Sequence, residues 1–396
     1  MKSKIFNKIA AFFLIFNLSI LSGCDSKNSQ QNIPEDQLVQ QSDISANDQE
    51  TFVHEKEQDK SSVRISENEQ ESSVHGEEQQ PELPVYIEQQ DNKLIGSAFL
   101  LNTHCEIILY NETDQDLIND TFELCREYEN QLSWTIPDSE VSQLNNRIIN
   151  QVSDSTANLL QEALKYSEIS AGALDISIGS VTDLWDFTSG SEIVPSAESI
   201  QKALKTVNYK NIQVNDNQVS FTNADTKIDL GAIAKGYIAD QMKACLVEKG
   251  VKSAIINLGG NVLCIGTKAD NTGFTIGIQK PFKEGYVAAV HLNDFYQSVV
   301  TSGIYERFFE KDGHFYHHIL DSETGMPVNN DLASVTIISE QSVTGDALST
   351  ACFVLGLEKG MELINSQDNI HAVFLDQEGN LHFSEKLSEE LQIDIL

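Results

Sequence analysis

The chain is two different polymers joined near Leu83, and only the second can fold around a core. From Asp25 to about Leu83 it is rich in Gln, Ser, Glu and Asp, and Phe52 is the only Phe, Tyr or Trp in that stretch. Such a stretch cannot bury enough apolar surface to offset the entropy lost on ordering. We read residues 24–84 as an acidic, disordered tether, extended by self-repulsion. The folded part is then residues 85–396, enough for one large domain or two intimately joined ones.

Residues 1–23 read as a signal peptide rather than as fold. Lys2, Lys4 and Lys8 form a basic start, and Ile9 to Leu21 is a nearly unbroken apolar run. That run is too short for a comfortable membrane span. It ends in Leu21-Ser22-Gly23-Cys24, which resembles the lipobox of bacterial lipoproteins. The resemblance implies cleavage before Cys24 and lipid, palmitate included, on that residue. The alternative is an ordinary secretory signal with an incidental Cys. Several acyl chains on one residue anchor a protein stably where one chain is marginal. The expected location is the cell membrane, lipid-anchored on the extracytoplasmic face.

Sixty acidic residues against 26 basic ones give a formal net charge of −34. This argues against nucleic acid as a partner and against a polybasic membrane contact, so the lipid must be the anchor. Cys105, Cys125, Cys245, Cys264 and Cys352 are odd in number and show no close pairing. We read them as buried free thiols.

Within the folded part, Ser97 to Tyr110 alternates as one strand. Leu117–Leu132 and Ala157–Ala171 read as amphipathic helices, and Lys235–Lys249 as a helix closed by Gly250. Strands are expected at 253–258, 274–279, 287–292, 298–301 and 334–338. Hairpins are expected at 212–228, at 308–320 across Asp312-Gly313, and at 373–383. A helix runs from Asp346 to Leu355 and ends at Gly356. Strands and helices mix without strict βα alternation, which favours α+β with largely antiparallel sheets.

Several segments suit phosphate chemistry. Asp346 and Thr350 stand four residues apart, so a helix carries both side-chain oxygens on one face. Such a pair can share Mg²⁺; equally, Asp346 can serve the helix start and Thr350 can bond back to the preceding turn. Asp229-Leu230-Gly231-Ala232-Ile233-Ala234-Lys235 leads from a strand into a helix whose N-terminus offers free N–H groups, with Lys235 as a point charge. The other reading is a capped helix with an exposed Lys. Gly259 and Gly260 follow a buried strand and form a plain turn or a nest for an anion or ring. His318, with Asp321 nearby, is a candidate general base; zinc is a rival, without a third ligand at suitable spacing. Asp175 lies in an apolar run and needs a hydrogen-bonding partner, protein or ligand. Trp185 and Phe187 are read as core.

Together these segments resemble the ApbE family, the FAD:protein FMN transferases, from about Leu101 to about Gly356. The order matches: Leu101-Asn102-Thr103, Ser139-Glu140 with Leu144-Asn145, Asp175 to Trp185, Asp229 to Asp240, Asn257 to Gly260, Thr301 to Arg307, His317 to Pro327, and Asp346 to Thr350. The resemblance implies an α+β fold of two intimately packed subdomains with mixed, largely antiparallel sheets and an FAD cleft between them. It implies Mg²⁺ held by Asp346, Thr350 and the backbone carbonyl of Ala232. FAD would be bound as substrate by Asp229 and Lys235, with Ala173, Leu174 and Asp175 on the adenine side. Leu101, Trp134, Gly259, Gly260, Ser302, His318 and Ile319 would complete the flavin site. The implied activity is transfer of FMN from FAD to a Thr or Ser hydroxyl of an exported or membrane flavoprotein, releasing AMP. His318 would act as base, Asp321 as its orienter, and Lys235 as electrostatic support.

The chain departs from the family pattern at Leu101 for Met, Asn102 for Gly, Ser322 for Pro, Met326 for an aromatic residue, and Ser133-Trp134-Thr135 for a Ser-x-Tyr segment. These changes bear on cover of the flavin more than on the metal. FAD pyrophosphatase activity, giving FMN and AMP, is the alternative enzyme reading. A lipoprotein that binds flavin without turnover is the alternative outside enzymes.

Overall fold

The computed structural model describes residues 84–187 and 190–396, together with the backbone of Leu38–Val39. The expected signal peptide, Cys24 and the rest of the acidic tether lie outside the described residues.

The strands are Leu38–Val39 (β1), Tyr86–Gln90 (β2), Lys93–Leu100 (β3), Thr103–Tyr110 (β4), Ile212–Asn215 (β5), Gln218–Phe221 (β6), Ala254–Leu258 (β7), Asn261–Ile265 (β8) and Thr275–Gln279 (β9). They continue with Tyr286–His291 (β10), Ser298–Gly303 (β11), Phe308–Lys311 (β12), His314–His317 (β13), Leu332–Ser339 (β14), His371–Asp376 (β15), Leu381–Phe383 (β16) and Gln392–Ile395 (β17). The helices are Asp116–Leu132 (α1), Glu140–Asn145 (α2), Asp154–Ile169 (α3), Gly179–Thr182 (α4), Ala197–Leu204 (α5), Ala234–Glu248 (α6), Ser342–Asn365 (α7) and Leu387–Glu390 (α8).

A nine-stranded sheet runs in the order β16-β15-β14-β11-β8-β7-β4-β3-β2, and every neighbouring pair in it is antiparallel. Both faces of its centre are covered, which is why every residue of β7 and β8 is buried and all but Asn257 and Asn261 are apolar. Side chains alternate between two cores. Leu94, Ile107 and Ile256 join Phe122 of α1, Met242 of α6 and Phe353 of α7 in one. Ile255, Val262 and Val299 meet Ile276, Ile278 and Val290 of a smaller sheet, β1-β9-β10-β17, in the other. A third cluster joins Val181, Trp185, Ile200 and Ala203 to Phe309 and Leu320. The described residues fall in one compact unit, so any subdivision lies in these three clusters. Among the described residues no helix is long and apolar enough to cross a membrane, and the five cysteines are free, all buried except half-buried Cys245.

Two elements differ from the sequence expectation. The single strand expected over 97–110 is a hairpin, β3–β4, turning at Leu101-Asn102 with φ of 56° and 55°. Two left-handed residues give a turn whose twist suits a hairpin. Asn tolerates that conformation and Leu does so at a cost, and no glycine announces the turn. Leu101 N–H donates to Glu129 Oε1 at 2.9 Å, which ties the turn to α1. The helix expected over 346–355 begins earlier, at Ser342, and continues to Asn365. Gly356, at φ 78° and ψ 178°, is non-helical, so the first helical segment ends there as expected and a second runs on to Asn365.

Candidate active site at a crossing of two helix starts

Neither α6 nor α7 has a side-chain cap of its own; Ile233 and Gln341 precede them. Each borrows a carboxylate from the other. Asp240 on α6 accepts from the N–H groups of Ser342 and Val343, both at 2.9 Å. Asp346 on α7 accepts from Gly236 N–H through Oδ2 at 2.8 Å. Gly236 makes the crossing possible: a Cβ there would lie 2.4 Å from the Ser342 carbonyl oxygen and 2.7 Å from Asp346 Cβ. Close packing and exchanged caps therefore place Asp346 at the N-terminus of α6, beside Lys235.

Asp346 is 3% exposed. Burial pushes its pKa up, against the pull of the Lys235 charge, the Gly236 hydrogen bond and Arg307. The same two cations surround Glu306 and His318. Burial raises Glu306, opposed by Lys235 and Arg307 and reinforced by Asp346. Burial holds His318 well below the usual histidine range, helped by Arg307, Lys235 and His317. His318 Nδ1 lies 3.3 Å from the Arg307 carbonyl oxygen, and Nε2 lies 3.9 Å from Glu306 Oε2. A carbonyl only accepts, so the ring proton sits on Nδ1 and Nε2 carries a lone pair.

Thr350 is held from β11: Ser302 Oγ lies 3.1 Å from Thr350 Oγ1 and 2.8 Å from Ser349 Oγ. The donor set fits a hard cation. Asp346 Oδ1 has no hydrogen-bond donor among the described residues, and its carboxylate shares a helix face with the Thr350 hydroxyl. Ala232 lies half-buried just before α6. A metal here would rest on one carboxylate, a hydroxyl and a carbonyl. No group of three or more His, Cys, Asp or Glu suited to a metal occurs among the described residues.

The other expected residues spread around this centre. Asp229 Oδ1 accepts from Gly231 N–H at 2.8 Å; burial raises its pKa, and the nearby Arg307 charge opposes that rise. Asp175 finds its partners in the protein, accepting from Ser177 N–H at 2.8 Å, Ser177 Oγ–H at 2.5 Å and Tyr209 N–H at 2.9 Å. Its neighbours Ala173 and Leu174 are half-buried and buried. Ser322 Oγ–H donates to the Gly172 carbonyl at 2.8 Å, bringing this segment to the turn after His318. Trp134 lines a cleft of about 330 Å³ with Asn145, Gly179, Asp183 and Lys227. Ile319 is 4% exposed and donates its N–H to His317 Nδ1. Trp185 is 6% exposed, in the third core cluster, with Phe187 packed against it.

Two expectations are corrected. Asp321 does not orient His318: its Oδ1 accepts from Glu323 N–H at 2.7 Å and Thr324 N–H at 3.3 Å. It shapes the turn, as Asp commonly does two residues before an N–H it binds. The Gly259-Gly260 pair is the two-residue turn between β7 and β8, both at positive φ. Its N–H groups bond to the His104 carbonyl and Asn257 Oδ1 at 3.1 Å each, so they are not free for an anion. What the pair provides is closeness: a Cβ on Gly259 would meet Thr103 Oγ1 at 2.2 Å. Sequence reasoning passed over Glu306 and Arg307, although both stand in the Thr301–Arg307 segment it singled out.

A family model described as the ApbE family matches residues 101–374. The chain belongs to the ApbE family. The FAD:protein FMN transferase of Klebsiella pneumoniae (strain 342) is 36% identical over 300 residues, 74% of this chain and 93% of that relative. The enzyme of the same name from Treponema pallidum (strain Nichols) is 31% identical over 319 residues, 75% of this chain and 88% of that one. Among solved structures, the ApbE protein of Thermotoga maritima has a TM-score of 0.69 at 30% identity, covering 77% of this chain and 99% of its own. The flavin transferase ApbE of Vibrio cholerae has 0.67 at 25% identity, with the same coverage.

Proposed function

We propose that the chain transfers FMN from FAD to a Thr or Ser hydroxyl of an acceptor protein and releases AMP. The observation that carries this reading is His318: a neutral imidazole with its Nε2 lone pair free, flanked by Lys235 and Arg307. The acceptor oxygen attacks the phosphorus of the FMN half of FAD. The bond from that phosphorus to the bridging oxygen breaks, and its electron pair leaves with AMP. His318 Nε2 takes the hydroxyl proton. Lys235 and Arg307 sit where charge builds on the phosphoryl oxygens, and phosphoryl transfer depends mainly on such positioning and neutralisation. Magnesium, held by Asp346, Thr350 and the Ala232 carbonyl, would supply further neutralisation of the pyrophosphate. Ser302 orients the Thr350 hydroxyl for that role.

The basic start, the apolar run and Cys24 support a lipid anchor on the extracytoplasmic face. The acceptor is then an exported or membrane flavoprotein. Recovery of the mature protein from the cytosol on cell fractionation would overturn that location.

The activity is tested by incubating the protein with FAD, Mg²⁺ and a candidate acceptor domain, following AMP and the acceptor's intact mass. A gain of one FMN residue, lost in Asp346→Ala, is the expected result. AMP and free FMN with an unlabelled acceptor would instead indicate a pyrophosphatase. Bound FAD with no product would indicate a carrier.

A further inference from the structure

Beside the charged cluster the surface turns aromatic. Phe308 directly follows Arg307 and is the register partner of His317 across the β12–β13 hairpin. The next pair, Phe309 and Tyr316, packs on Phe187 and Trp185 in the third core cluster. Alternation turns Phe308 and Phe315 to the opposite face, where their rings stack at 4.8 Å. Phe282, from the loop between β9 and β10, meets them edge-on at 5.4 Å and 5.8 Å. It also reaches Tyr305 at 6.0 Å. Phe282 remains 55% exposed and Phe308 41%. Phe282 is held at φ 56°, a conformation that a bulky side chain adopts only at a cost. The three ring contacts offset part of that cost, yet more than half of the residue remains in water.

We propose that Phe282, Phe308 and Phe315 form the docking platform for the acceptor polypeptide, receiving an apolar side chain close to the Thr or Ser that is modified. The proposal rests on the flavin-transfer reading. The occupant follows from position. The acceptor oxygen has to reach His318 Nε2, so the polypeptide carrying it crosses the surface around that atom. The platform touches Tyr305, the residue before Glu306, and Phe315 lies 6.2 Å from the ring of His317, the residue before His318, so it borders the two segments that carry the site. Exposed aromatic rings are the side chains that anchor protein partners most strongly.

The experiment uses an acceptor protein domain that the unaltered chain flavinylates, read by intact mass. Phe282→Ala and Phe308→Ala are each measured for the KM of the acceptor, for kcat, and for FAD affinity by quenching of flavin fluorescence. Unchanged FAD affinity also reports that the variant is folded, and Phe282→Leu tests whether an apolar side chain suffices. The expected result is a KM for the acceptor raised roughly tenfold or more, with kcat and FAD affinity unchanged. Weakened FAD affinity would assign the rings to the flavin site and overturn the proposal. An unchanged KM would overturn it as well. If the unaltered chain binds FAD but labels no acceptor, the transfer reading itself fails and takes this proposal with it. That outcome is recognisable before any substitution is made.

Discussion

Asp240 and Asp346 serve the same purpose on opposite sides of one helix crossing, yet they end in different states. Asp240 is saturated, with its two oxygens occupied by two backbone N–H groups of α7. Asp346 is half satisfied, with one oxygen on Gly236 N–H and the other without a hydrogen-bond donor among the described residues, in a carboxylate that feels the charges of Lys235 and Arg307. A carboxylate whose hydrogen bonds are complete is a structural cap. One that is fixed in place but left with an open oxygen can bind a cation or a substrate. The site is thus made by leaving one of two equivalent caps incomplete.

Breaking the open cap has the largest expected effect. Asp346→Ala should lower FMN transfer by about 10²-fold to 10³-fold, the scale of losing a preorganised electrostatic group. The loss in stability should be only about 1 kcal/mol, because a single backbone N–H loses its partner and a costly buried carboxylate goes with it. Mg²⁺ should raise the thermal midpoint of the unaltered chain and not of this variant. An equal Mg²⁺ shift in both would place the metal elsewhere.

Breaking the closed cap should reverse the balance. Asp240→Ala strands two N–H groups at the start of α7 and should destabilise the fold by about 2–4 kcal/mol in urea titration. FAD binding by the protein that remains folded should hardly change. Gly236→Ala tests the crossing itself. The nearest obstacles to the added methyl are a backbone carbonyl and the Cβ of Asp346, neither of which can swing away. A cost of about 1–3 kcal/mol is expected, together with reduced transfer, since separating the helices moves Asp346. Full stability in this variant would show that the helices are not held as tightly as the caps require.

The contrast also shows what a sequence displays. Asp346 and Thr350 were legible as a pair because their relation is local, one turn of helix. That Asp346 would cap another helix was not legible, since Gly236 lies 110 residues away. Glu306 and Arg307 stayed unassigned for the same reason: their partners, Lys235 and Asp346, come from distant elements. Asp321 failed in the opposite way. It stands three residues from His318, but its carboxylate closes its own turn. The antiparallel α+β class was readable from alternation and turn residues. The Leu101-Asn102 turn was not, because it takes left-handed angles without glycine. The break at Gly356 was legible, because glycine supplies the positive φ at which a helical segment ends.

The pH dependence separates the site from its frame. His318 is neutral in the folded protein well below the ordinary value of 6.5. Transfer should therefore hold steady as pH falls through 6.5 and decline only at lower pH. A limb centred at 6.5 would mean that burial and the Arg307 and Lys235 charges do not hold His318 neutral, or that it is not the base.

The smallest effect belongs to the closed cap, and its sign is opposite to that of most carboxylates. Burial lifts Asp240 to about 6, with the Asp346 charge adding to the rise and its two hydrogen bonds and Lys243 resisting it. In the unfolded chain it titrates near its ordinary value of 3.8. Between those values the folded state binds the extra proton, so stability from this group is present below about pH 4 and falls as pH rises to about 6. Asp376, Asp394 and Glu390 have depressed pKa values and push the other way, losing stability as pH falls. The total curve therefore hides Asp240, and only a difference exposes it. Urea midpoints of the unaltered chain and Asp240→Asn should diverge in slope between about pH 4 and pH 6 and run parallel above. Parallel curves throughout would mean that the two N–H groups of α7 keep Asp240 ionised, and that its completed hydrogen bonds outweigh its burial.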